Sequence, residues 1–70
     1  MNEIYPFFLN GQKYMTSYCL TISDLINYFG YSKELLVVEH NQFICNKFDW
    51  EKSIVQCNDQ LEIVTIVGGG

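Results

Sequence analysis

Gln60-Leu61-Glu62-Ile63-Val64-Thr65-Ile66-Val67-Gly68-Gly69-Gly70 is the stretch that decides how the rest of the chain is read. Leu61 to Val67 is rich in β-branched residues and reads as a β-strand, running without a turn residue into three glycines. Glycine has no side chain to pack and loses the most backbone entropy on folding, so Gly68, Gly69 and Gly70 add nothing to a core. The functional reading is that the α-carboxylate of Gly70 is a working group, carried on an arm thin enough to enter another protein's active site. At roughly 3.3 Å per extended residue, three glycines reach about 10 Å beyond the sheet. The competing reading is a flexible or linker-derived tail. Strand alternation puts Leu61, Ile63 and Thr65 on one face and Glu62, Val64 and Ile66 on the other. Val64 and Ile66 are then exposed apolar residues beside the tail, a docking patch able to orient it.

Working outward, Asn58-Asp59 is the turn that delivers the chain into this strand. Pro6 can begin a strand but not continue one, so a first strand is expected over Phe7 to Asn10, after an irregular lead-in from Met1 to Tyr5. Asn10-Gly11 is a hairpin signal, because both residues accept the positive φ of a type I′ turn. Gln12 to Ser17 follows as the second strand. Thr21-Ile22-Ser23-Asp24 has the form of a capping box, opening a helix from Ile22 to Phe29. Ile22, Leu25, Ile26 and Phe29 share one helical face, and Gly30 supplies a left-handed cap. Leu36 to His40 and Phe43 to Asn46 are two further strands, reversed at Asn41-Gln42. Asp49 to Lys52 reads as a single helical turn before Ile54-Val55.

Hairpin, helix, two short strands, connector and final strand make an α+β fold: one mixed sheet of about four to five strands packed on one helix. The helix supplies a crossover, so the last strand can run parallel to the first. This is the β-grasp order, a single domain over residues 1–70 with 68–70 as an exposed tail.

Composition narrows the function. Seventy residues, 49% apolar and 16% aromatic, support a compact core and leave little room for an enclosed catalytic pocket. Four lysines, no arginine and a net charge of −4 do not make a nucleic-acid face. Met1 to Pro6 has no basic flank or apolar run of a signal peptide, and no stretch approaches membrane-spanning length. Cys19, Cys45 and Cys57 lack C-x-x-C spacing and read as small core residues in a reducing compartment; a Cys₃His metal site with His40 is not supported by such wide spacing. His40 reads as a solvated strand-end residue and Trp50 as a cover for the end of the sheet. No nucleophile-and-base pair and no P-loop follow from the sequence.

Taken together, Leu9-Asn10-Gly11, Thr21-Ile22-Ser23-Asp24-Leu25, Val37-Val38-Glu39-His40-Asn41, Trp50, Asn58-Asp59-Gln60-Leu61-Glu62-Ile63-Val64 and Val67-Gly68-Gly69-Gly70 resemble the sulfur carrier protein ThiS family of thiamine biosynthesis. The resemblance spans nearly the whole chain. It implies that a ThiF-like adenylyltransferase joins AMP from MgATP to the Gly70 carboxylate, which is then converted to a thiocarboxylate. That sulfur goes to the thiazole ring. It further implies a ThiG-like thiazole synthase and a sulfur donor such as a cysteine desulfurase as partners, with Gly68, Gly69 and Gly70 entering their active sites. AMP and sulfur would be carried transiently and no cofactor bound. The chain would be a monomeric co-substrate, not an enzyme, in a bacterial cytoplasm or a plastid stroma. The small subunit of molybdopterin synthase and a ubiquitin-like protein modifier share the fold and the glycine terminus and are the alternatives.

Overall fold

The computed structural model describes residues 3–32 and 35–66. Five strands form one mixed sheet: β1 (Tyr5–Leu9), β2 (Gln12–Thr16), β3 (Leu36–His40), β4 (Phe43–Cys45) and β5 (Gln60–Thr65), in the order β2-β1-β5-β3-β4. Helix α1 (Ile22–Phe29) covers one face. β5 lies between the two hairpins, parallel to β1 and antiparallel to β3, as the β-grasp order requires.

β1 begins at Tyr5, inside the expected lead-in, and contains Pro6. Phe8 N and Asn10 N both donate to β5-side carbonyls, those of Asp59 and Leu61. By alternation the Pro6 nitrogen points the same way, below the start of β5, where a missing donor breaks no ladder. Tyr5 gains a further anchor, since its hydroxyl shares its proton between the carbonyls of Tyr18 (2.7 Å) and Val55 (3.1 Å).

The helix has the expected bounds and caps. Thr21 Oγ1 accepts from Asp24 N at 3.0 Å, Asp24 Oδ2 accepts from Thr21 N at 2.9 Å, and Gly30 takes φ 73°. The remaining orphan donors of the first turn go to the connector, Ile22 N to Ser53 O and Ser23 N to Trp50 O. α1 is thereby tied to the chain that leads into β5.

Ile22, Leu25 and Ile26 meet Phe7, Leu9, Val38, Leu61 and Ile63 in the core, with Trp50 and Val55 closing its end. Each such side chain contributes roughly 1.5–3 kcal/mol on burial. Phe29, the last of the apolar stripe, sits at the margin and packs edge-on against Tyr14 instead. Trp50 is buried as expected, its indole N–H donating to Cys45 O at 3.0 Å. The helical turn of the connector is a 3₁₀ turn at Lys47–Asp49, two residues earlier than read from the sequence.

Candidate functional site

β5 is where fold and candidate site meet. Its inward residues Leu61 and Ile63 are buried, while Val64 and Ile66 are 55% and 50% exposed, as alternation required. Pairing with β3 then assembles an outer face that no single segment displays. Val64 stands opposite Val37 and Glu62 opposite Glu39, and Ile66 N donates to Leu35 O. The expected pair of exposed residues thus becomes a strip of Leu35, Val37, Val64 and Ile66, with Ile44 on the neighbouring strand opposite Glu39. Alternation within residues 36–40 already set Val37 and Glu39 on one face; which residues they face across the sheet is tertiary information.

Two asparagines hold β5 in register from its two sides. β1 pairs with β5 only at Phe8–Gln60 and Leu9–Leu61. Past that point the Asn10 side chain continues the ladder, its Oδ1 accepting from Ile63 N (2.9 Å) and its Nδ2 donating to Ile63 O (3.4 Å). On the β3 side, Asn41 Oδ1 accepts from Gln60 N (2.8 Å) and Asn41 Nδ2 donates to Asp59 Oδ1 (3.0 Å). Asp59 is the one buried charged residue among those described. Its Oδ2 also accepts from Gln56 N (2.7 Å) and lies 2.5 Å from His40 Nε2. Burial pushes the Asp59 carboxyl up, but the bonds from Asn41, Gln56 and His40 outweigh it and hold it below the ordinary carboxylate value.

This corrects the reading of His40 as a solvated surface residue: it is half-buried and bonded to Asp59 because the β3 end folds back over the turn that launches β5. The cysteines also differ from expectation. Cys19 and Cys57 are exposed and Cys45 half-buried, because Cys19 and Cys57 fall in connecting segments rather than on inward strand positions. Gly68, Gly69 and Gly70, with Val67, lie outside the described residues.

The ThiS family model matches residues 7–70. The chain belongs to the ThiS family. This is a family of small sulfur carrier proteins of thiamine biosynthesis. Among curated proteins, an uncharacterized protein ycf40 of Trieres chinensis is 56% identical over 64 residues, which cover 91% of this chain and 88% of that one. A thiazole synthase of Magnetococcus marinus is 29% identical over 62 residues, covering 89% of this chain but 19% of that protein. A ThiS-like segment is therefore part of a much larger chain there. The crystal structure of a thiamine biosynthesis protein (ThiS) from Geobacter metallireducens shares the fold with a TM-score of 0.78 at 20% identity, over 93% of this chain and 99% of that one.

Proposed function

We propose that this ThiS-family chain carries sulfur as a thiocarboxylate on Gly70. The reaction begins when a Gly70 carboxylate oxygen attacks the α-phosphorus of ATP and displaces pyrophosphate, leaving an acyl-adenylate. The outer sulfur of a persulfide on a donor such as a cysteine desulfurase then attacks the acyl carbon and AMP leaves; a thiol cleaves the resulting acyl disulfide, releasing the thiocarboxylate and leaving the donor cysteine in a disulfide with that thiol. A carboxylate is a poor electrophile until so activated, and the resulting thiocarboxylate sulfur is a good nucleophile for building a thiazole. The chemistry belongs to partners: a ThiF-like adenylyltransferase, then a ThiG-like thiazole synthase. The carrier presents Gly68, Gly69 and Gly70 and docks through Val64 and Ile66.

The observation that carries this reading is the extent of the family match, which runs through the three glycines rather than stopping at the β-grasp core. The segment built into a thiazole synthase supports the second partner, since joining two modules in one chain raises their effective concentration for each other, an advantage to modules that act together. The ycf40 relatives, plastid-encoded in algae, support a plastid stroma as the site of action.

Intact-protein mass spectrometry tests the proposal. After incubation with a ThiF-like adenylyltransferase, MgATP and a sulfur donor, one oxygen should be exchanged for sulfur. A form with one residue appended after Gly70 should show no exchange. Equal sulfur incorporation in the extended form, without trimming, would place the sulfur on a cysteine and end the proposal.

A further inference from the structure

Glu39 and Glu62 stand directly opposite one another on the outer face of the sheet. Like charges in direct cross-strand register destabilise a sheet. Neither carboxylate is in a salt bridge among the described residues, where the ion pair present is His40–Asp59. Glutamine at either position would keep the strand and remove the repulsion, so the fold alone gives no reason for the pair. The two carboxylates also share a concavity. A surface recess of ≈ 590 Å³ is bounded by the β1–β2 turn at Gly11, the β3–β4 turn at Asn41 and Gln42, and Gln60, Glu39 and Glu62. It is continuous with the apolar strip, because Val64 follows Glu62 on the same face of β5.

We propose that this recess is a second contact point for the adenylylating partner, receiving an arginine or lysine side chain between Glu39 and Glu62 while apolar partner surface covers Val37, Val64 and Ile66. The inference rests on the reading of Gly70 as the acyl group that this partner activates. Charge complementarity selects the occupant. The carrier has a net charge of −4, and an enzyme that must bring a carboxylate against the phosphates of ATP has to surround the approach with positive charge. Geometry supplies the purpose. The recess begins roughly 13 Å along β5 from Ile66, so a contact there and a second at the tail fix the direction in which β5 lies across the partner surface. An apolar strip alone would leave that direction loosely set.

The test is the steady-state kinetics of adenylylation by a ThiF-like adenylyltransferase, with wild type, Glu39→Gln, Glu62→Gln and the double variant as carriers. The double variant should raise KM for the carrier by about tenfold with kcat unchanged, and the wild-type KM should climb between roughly 50 and 300 mM salt while that of the double variant stays nearly flat. The isolated variants should melt at or above the wild-type temperature. Unaltered KM and salt dependence, or a loss confined to the thiazole-forming step, would overturn the contact, as would a clear fall in melting temperature, which would make the pair structural. Failure of the underlying reading looks different, since the wild type itself would then form no acyl-adenylate.

Discussion

The two hairpins flanking β5 use one device in two ways. Both turn with positive φ at both central residues, 51° and 81° at Asn10-Gly11 and 52° and 73° at Asn41-Gln42. In both, the leading asparagine sends its side chain to β5. Asn10 bonds only main chain, and its turn is completed by a glycine that adopts the left-handed region without strain. Asn41 bonds main chain and a buried carboxylate, and its turn is completed by a glutamine held where side chains are disfavoured. The β1 side is therefore a local hairpin that happens to grip β5. On the β3 side, the turn, the strand end and the approach to β5 form one polar network whose parts are useless separately.

The comparison can be broken most severely at Asp59. Asp59→Asn should cost about 2–3 kcal/mol at neutral pH, because charge-assisted bonds from Asn41, Gln56 and His40 are weakened together; denaturant titration reads this directly. The same carboxylate sets an acid limb. Its native value lies below the unfolded one, so its stabilisation is complete above about pH 4 and fades as pH falls through the lowered native value. In Asp59→Asn that component of the acid dependence should vanish. Equal slopes in the two proteins would show that another group governs acid unfolding.

Asn41→Ala should come next, at about 2 kcal/mol, and Asn10→Ala at about 1 kcal/mol, since the first strands a buried carboxylate oxygen and the second only the end of a ladder. A reversed order would mean that the β1 grip dominates. Gln42→Gly sharpens the contrast with a change of opposite sign: relief of the left-handed backbone should stabilise by about 0.5–1 kcal/mol, seen as a raised denaturation midpoint. The smallest effect on the fold belongs to Val64→Asp, within about 0.5 kcal/mol for an exposed site. Under the proposed docking, binding of this variant to a ThiF-like adenylyltransferase should nevertheless drop sharply in a pull-down or calorimetric titration. Collapse of the fold instead would exchange the two faces of β5.

How far these features were legible follows the same division. The Asn10-Gly11 turn, the capping box and the inward alternation of Leu61 and Ile63 are local, with signals within four residues of themselves, and they appear in the structure where the sequence put them. The start of β1 was hidden because Pro6 breaks a strand only if its nitrogen faces a partner, and that depends on where β5 begins. His40 illustrates the limit more sharply. Its partner is 19 residues away, and no periodicity links a strand end to the turn before another strand. The outer strip shows a partial case: Val64 and Ile66 were visible from alternation, whereas Val37 and the Glu39–Glu62 pair needed cross-strand register. The glycines that carry the functional reading lie outside the described residues; in the sequence they stood out as a side-chain-free arm after a strand, and the chemistry assigned to them came from the family resemblance.

The position of β5 has a consequence for how the protein is made. Neither hairpin pairs with the other; each pairs with the strand that is made last of the five. Until residues 60–65 are synthesised, the chain can hold two hairpins and a helix but no continuous sheet, and the first strand waits for a partner more than fifty residues downstream. Such long-range pairing is slow and leaves apolar strand edges open while it is pending. Completion of the sheet is then coupled to completion of β5: a nascent chain stalled before β5 stays open to proteolysis, and the chains that survive are those in which this strand has been translated.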